Sequence, residues 1–427
     1  VPGRSRNPRL VGATGAAGSA GPTGPGFAGI IDVRDWDILG NGTDETSKWQ
    51  RLADYCSRSL PGPTGGRSAR LYARAGDYRC GTVHWYGGYS FGLMLEGPLF
   101  DGGGGGSALF TYTGADGGEL FNFHGVSSLV LRNLVLTSSS ASPRLVKWQP
   151  WKHPSTNAIV TGCTNLLAER LRFALPASGG DCFSIGEDTF DGNTYQCDSI
   201  MLRDCAGYGH CGVNDMETDT TLRFGSFVKI CSSGNTKNLV MENWTGYGLS
   251  AIWNSGPYGG NSGVWKCYGN VQMSNITRPF LVGPGVVEIG DCQVEGCREF
   301  VLQYGSGSNT ICTVRNCEVY AELTESRRYV ISYGGRLLIE GSLFYGSQTG
   351  GSVLPTLREY AAAPAGNRVL TVLNSHFEGG GADLPVESTG GAGAAVTALA
   401  AATSIGNTGG TYPSAQTRMA SRLGVQS

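Results

Sequence analysis

Charge is scarce in this chain. Only 15% of its 427 residues are charged, and 32 Lys+Arg against 34 Asp+Glu leave a formal net charge of −2. Without a basic excess, no long-range field draws in a polyanion, so nucleic acid is not expected as a partner. No run of 18 apolar residues occurs, which argues against a membrane-spanning helix and hence against membrane insertion. The opening VPGRSRNPRL lacks the apolar stretch of an export signal. The 13 cysteines are spread singly, with no CxxC pair, so neither a zinc site nor a disulfide-built scaffold is expected. Free, buried thiols are.

Glycine is abundant instead. Its 68 residues are about one in six, roughly twice the usual share, while a hydrophobic content of 40% still suffices for a core. That balance fits neither a helical bundle nor a disordered chain. Residues 12–26 read GATGAAGSAGPTGPG, with Gly12, Gly15, Gly18, Gly21 and Gly24 at every third place. Such a period is what a collagen triple helix requires, because only Gly fits its crowded axis. A flexible Gly/Ala linker is the other reading. The triple-helical one makes the protein a homotrimer.

Residues 30–62 begin with an apolar strand, pass a Gly-Asn-Gly turn and continue as a helix that Thr43 or Asp44 can cap. Trp49, Leu52, Ala53, Cys56 and Leu60 fall on one face of that helix, which therefore needs something to cover. The run Asp35-Trp36-Asp37-Ile38-Leu39-Gly40-Asn41-Gly42-Thr43-Asp44-Glu45-Thr46, with Trp49 and Gln50 following, resembles the opening motif of the pectate-lyase-like superfamily. It departs in carrying Asn41 where that family has Asp. The resemblance implies an all-β right-handed parallel β-helix behind an N-terminal capping helix. It says nothing of activity.

The body repeats in keeping with that fold. LVLRNLVL (129–136), IMLRDCAG (200–207), LVMENWTG (239–246), VQMSNITR (271–278), VEIGDCQV (287–294), CTVRNCEV (312–319), LLIEGSLF (337–344) and TVLNSHFE (371–378) each alternate and then turn at Asn, Asp or Gly. A further turn is expected near LLAERLRF (166–173). Irregular spacing between these echoes means loops of varied length hung on one coil size. Cys205, Cys292 and Cys317 share the position after the turn, where stacked thiols are expected and a Ser would bury an unsatisfied hydroxyl. The expected organisation is a collagen-like leader over 1–29, a strand and capping helix over 30–62, a β-helix over 63–411 and a C-terminal arm over 412–427.

Titratable groups gather in two segments. GGDCFSIGEDTFDGN (179–193) holds Asp181, Glu187, Asp188 and Asp191, and GHCGVNDMETDTT (209–221) holds His210, Asp215, Glu217 and Asp219. Successive coils would bring the two segments to one flank, where crowded carboxylates can separate their pKa values into acid and base. SGGDCFSIG, YGHCGV and FVKI, in that order, resemble the polygalacturonase series of paired aspartates, Gly-His-Gly and a basic triplet. The resemblance implies catalytic roles for Asp181 and His210 and a substrate contact for Lys229. Gly180 stands where the first aspartate would be and Cys211 where the second glycine would be, which puts hydrolysis in doubt. Bland readings stand beside these: Asp181 as a turn residue, His210 as structural, and Glu187, Asp188, Asp215, Glu217 and Asp219 as a solvated acidic edge or cation site. The Gly-rich stretch 246–270 offers Tyr247, Trp253, Tyr258, Trp265 and Tyr268 either for stacking on sugar rings or for packing in the core or a trimer interface.

A Gly-X-Y leader on such a β-helix is similar to bacteriophage tailspikes and minor tail proteins. That resemblance implies a homotrimer in the virion tail, partnered by other phage tail proteins and by a host cell-surface polysaccharide. The chain would bind that glycan and, in the enzymatic version, cut it as a glycoside hydrolase or a polysaccharide lyase. The cofactor is unknown, calcium being the expectation for a lyase. A non-catalytic structural or receptor-binding tail protein is the first alternative, and a secreted bacterial polysaccharide lyase or hydrolase the second.

Overall fold

The computed structural model describes residues 30–58, 68–87, 92–99, 106–152, 159–161, 163–186, 195–219, 221–231, 234–236, 238–255, 264–283, 285–303, 310–320, 330–332, 336–345, 357–359, 369–373, 375–378, 386–388, 395–397 and 403–405. The collagen-like triplets, Leu60 and the C-terminal arm lie outside these.

Short alternating strands separated by tight corners leave the backbone one economical solution. Each strand pairs with the strand one coil later, and the chain visits three sheets in turn. The three have 13, 13 and 11 described strands, and their pairings are parallel throughout. This is the arrangement of a parallel β-helix. Its interior is filled from all three sides. Leu129, Leu166, Ile200 and Leu239 stack in the first sheet, while Phe121, Val146, Phe183, Val228, Trp253 and Phe280 stack in the third.

The corner between the first and second sheets needs a left-handed residue. Asn133, Arg170, Asp204, Asn243, Asp291 and Asn316 all take φ between 49° and 56° there, and Gly269 and Gly341 serve the same corner in two other coils. Asn and Asp tolerate this region and Gly enters it freely. Arg170 confirms the turn expected near 166–173. The echo VQMSNITR is corrected: Val271–Ile276 is a strand of the second sheet, and the corner of that coil is Gly269, two residues earlier. Asn275 also has positive φ, so a second-sheet strand imitates the first-sheet pattern.

The N-terminal end is closed by helix α1 (Thr46–Arg58), whose Trp49, Leu52, Ala53 and Cys56 are buried. Trp49 packs against Tyr78, Phe110 and Phe121. The motif around it supplies hydrogen bonds. Asp44 Oδ1 accepts from the Thr46 amide at 2.9 Å, and the buried Glu45 carboxylate accepts from the amides of Leu39 and Gly40. Gln50 receives the amide of His84 at 2.8 Å and donates to the His84 carbonyl at 3.0 Å. His84 lies on the edge strand of the third sheet, Val83–Tyr86, so one side chain meets a donor and an acceptor that no further coil could pair.

All thirteen cysteines are free and buried. Cys292 lies within hydrogen-bonding reach of both Cys267 and Cys317, and burial raises its thiol pKa well above the ordinary value. The thiols after the corner have partners. Cys205, Cys292 and Cys317 donate to the carbonyl two residues back at 3.2, 3.3 and 3.2 Å, and Ser342 makes the same bond at 3.0 Å. A hydroxyl is therefore accommodated there, contrary to the expectation from sequence. Cys312 differs, because it points inward between Val287 and Leu337 and burial pushes its thiol up to about 12. Cys317→Ser should accordingly change unfolding free energy by less than about 1 kcal/mol, and Cys312→Ser should cost about 1–3 kcal/mol. Urea unfolding of the two variants checks the order, which equal costs would contradict.

Candidate functional site

The outer face of the third sheet is polar where its inner face is apolar. In-register pairing lines up Glu119, Arg144, Asp181 and Ser226 in one outward column. A second column holds His84, Asn122, Lys147, Ser184, Lys229 and Asn254. Three cations and two carboxylates thus share a sheet whose other side is hydrocarbon. Lys229 Nζ lies 3.5 Å from Asp181 Oδ2, and Ser184 Oγ donates to the same oxygen at 3.3 Å. Glu119 is shared by Arg144 at 3.5 Å and Lys147 at 3.7 Å.

Asp181 opens the strand Asp181–Ile185 and is 8% exposed. Burial raises its carboxyl pKa above the ordinary value, against the opposing pull of Lys229 and Arg144. Its side chain lies outside the coil, in contact with the half-exposed Lys229. The turn-residue reading gives way to a strand position. Glu119 lies two strands away, about 9.5 Å at the usual strand spacing, with Arg144 in the row between. That is the upper end of the separation an inverting hydrolase uses, and a guanidinium occupies the middle.

The other candidates disperse. His210 is exposed on the turn leading to the short helix α2 (Val213–Thr218). Asp215, on α2, accepts from the Gly212 amide at 3.1 Å and so holds the start of its own helix. Glu217 also falls on α2, and Glu187, Asp188 and Asp191 lie outside the described residues. Asp219 corrects the solvated-edge reading, since it is deeply buried. It accepts from Thr277 Oγ1 at 2.9 Å, from Ser250 Oγ and from the Arg223 amide, which ties the segment to two later coils. Among the described residues, no three His, Cys, Asp or Glu side chains converge as a metal site.

Trp253 requires correction as a sugar-stacking residue. The stretch read as a Gly-rich loop contains the strand Ala251–Asn254, and Trp253 is a fully buried member of the inward column. Trp265 belongs to the strand Val264–Tyr268 of the first sheet, and Tyr258 lies outside the described residues. Among the described residues, the exposed aromatics are tyrosines. Tyr208 and Tyr247, 42% and 46% exposed, face outward on successive coils of the second sheet. Tyr247 is among the aromatics of the 246–270 stretch, whereas Tyr208 is not among the sequence-derived candidates, alternation around the buried Gly207 being its available signal.

No family model and no curated protein matches this chain. Among solved structures, ORF18 of Geobacillus virus E2 is similar at 13% identity and a TM-score of 0.43, over 84% of this chain and 60% of that one. A likeness of that degree carries no inference about chemistry here. Among the described residues, no helix is long and apolar enough to cross a membrane.

The N-terminal end of the polar face carries an aromatic cluster absent from the sequence-derived candidates. Tyr86, 41% exposed, stacks on His124 with centroids 4.8 Å apart. His124 Nδ1 lies 3.2 Å from Gln149 Nε2, and its Nε2 lies 3.3 Å from His84 Nδ1. A neutral His124 that accepts from the amide and donates to His84 satisfies both contacts. A second proton would set donor against donor. Burial, followed by the charges of His84 and Lys147, depresses its pKa to about 4.

A folded pKa below the unfolded value of 6.5 contributes stability that is complete above pH 6.5 and is lost as pH falls toward 4. The melting temperature should fall across that window, and His124→Gln should flatten the fall. Identical slopes for the two proteins in calorimetry from pH 7 to 4 would exclude this role.

Proposed function

We propose that this chain is a trimeric bacteriophage tail component, of the tailspike or minor tail protein kind, that binds a host cell-surface polysaccharide. In this reading the coil is the right-handed parallel β-helix of the pectate-lyase-like superfamily, and the leader at 12–26 is collagen-like. The observation that carries it is the outward polar row of the third sheet, whose Arg144, Lys229 and Asn254 are partly exposed above the buried Lys147, Asp181 and Ser184, on an apolar scaffold. Rigid in-register strands hold donors at a constant repeat, which suits a polymer of repeating hydroxyls and acidic groups. The cationic excess of the row favours an acidic glycan. Tyr208 and Tyr247 add apolar ring faces on the neighbouring sheet, where a sugar can stack. The Gly-X-Y period supports three chains, and together these features favour a virion tail over a secreted lyase.

Catalysis is the second reading, and one observation favours it. A carboxyl whose pKa is raised by burial, as at Asp181, holds a proton for longer, as a general acid must. Against it stand the Arg144 guanidinium between Asp181 and Glu119 and the dispersal of His210 and Asp215. Binding without cleavage is therefore the version the geometry supports best.

Incubating the protein with polysaccharide from candidate hosts and assaying both retention and new reducing ends or unsaturated uronates separates the readings. Lys229→Ala and Tyr247→Ala should each weaken retention roughly five-fold, the equivalent of about 1 kcal/mol. Asp181→Asn should leave retention intact. If cleavage occurs and Asp181→Asn abolishes it, the enzymatic reading replaces the binding one. If no acidic glycan is retained and neither variant changes anything, the polysaccharide reading falls.

A further inference from the structure

The outer face of the first sheet is unlike the other two. Alternation sends every second side chain outward, and in-register pairing stacks those side chains into columns. One outward column reads Met94, Val130, Leu167, Met201 and Val240 on five successive coils. The interior does not need these residues, since Leu93, Leu129, Leu166, Ile200 and Leu239 already fill the inward column beside them. On the third sheet an outward column carries Asn122, Lys147, Ser184, Lys229 and Asn254 instead.

Alongside the aliphatic column the same registers stack Glu96, Arg132, Glu169, Arg203 and Glu242, in strictly alternating sign. Arg132 and Glu169 approach to 2.7 Å, and Arg203 and Glu242 to 3.2 Å. Charges neutralised within one copy can be covered by another surface without stranding an unpaired ion. Alternation also makes the fit of a facing surface depend on height along the coil.

Beyond Val240 the aliphatic column becomes Lys266, Glu288 and Thr313. On the other side Arg70 precedes Met94 in the column, so the apolar patch spans the third to seventh described strands of this sheet, in its N-terminal half. The chain enters the fold through Ile30–Asp32, the edge strand of this same sheet, and the Gly-X-Y period ends only a few residues earlier, at residue 26. Three leaders wound on one axis would deliver three copies of this sheet to that axis.

We infer that the Met94–Val240 column is the face through which three copies of this chain pack about their threefold axis. The inference rests on the trimer named above and adds which surface forms it. The second and third sheets then face outward, which leaves the partly exposed Arg144, Lys229 and Asn254 and the exposed Tyr208 and Tyr247 open to a polymer. Residues that face a threefold axis meet their own equivalents.

Single cysteines placed in the full-length chain test this, because its own thirteen thiols are buried. Treating the purified Leu167→Cys and Met201→Cys proteins with a short bismaleimide should give covalent dimers on denaturing gels. Thr245→Cys, exposed on the second sheet, should give none. Light scattering at micromolar concentration should find wild type trimeric and the Leu167→Arg/Met201→Arg double variant dissociated. A monomeric wild type overturns the trimer itself. A trimeric wild type whose Leu167→Cys and Met201→Cys variants do not cross-link, or whose folded double-arginine variant stays trimeric, overturns this face while the trimer stands. Should the double variant fail to fold, cross-linking alone decides.

Discussion

Everything in this molecule depends on the pairing of each strand with its equivalent one coil later. A strand in a stacked coil finds donors and acceptors above and below, so its backbone is satisfied without hairpins and nearly any side chain can project outward. Among the described residues, the unpaired edges of the three sheets lie at the two ends. At the N-terminal end α1 provides the cover, with Trp49 filling the open core and Gln50 completing the hydrogen bonds of the first strand of the third sheet. The motif that announces the fold is thus the device that closes it.

The same pairing divides the work between the two sides of each sheet. Inward columns have to be apolar because neighbouring coils exclude water from them, and Trp253 and Phe183 pay no attention to what happens outside. Outward columns are free to vary, and they vary by sheet. The first sheet carries an aliphatic column beside a ladder of alternating charge, the second carries exposed tyrosines, and the third carries cations and carboxylates held a strand apart. A single coil geometry therefore presents three chemically distinct flanks.

Burial under these constraints also sets the chemistry of single groups. Asp181 and His124 lie on the same outer face, and burial moves each toward its neutral form, the carboxyl upward and the imidazole downward. Their neighbours act in opposite senses. Lys229 and Arg144 favour an ionised Asp181, whereas Lys147 and His84 disfavour a charged His124. A face dense in titratable groups thus holds less charge than its composition suggests.

The sequence by itself determined the coil. Its corners were legible because a left-handed backbone position admits few residues, and Asn133, Asp204, Asn243, Asp291 and Asn316 mark it; its capping helix was legible because local capping and periodicity write α1 directly. One corner was misplaced, since Asn275 copies the signal on another sheet. What the tertiary structure decided was which distant residues become neighbours. Arg144, Asp181 and Lys229 meet only because loops of unequal length bring their strands into register, and nothing local in the chain encodes that register. Whether Trp253 stacks on a sugar or packs stayed open in the sequence for the same reason: a residue's side of a sheet follows from its place in the strand, and the strand's limits among glycines are set by pairing with other coils. Local rules write corners and caps, whereas sites are made by non-local pairing.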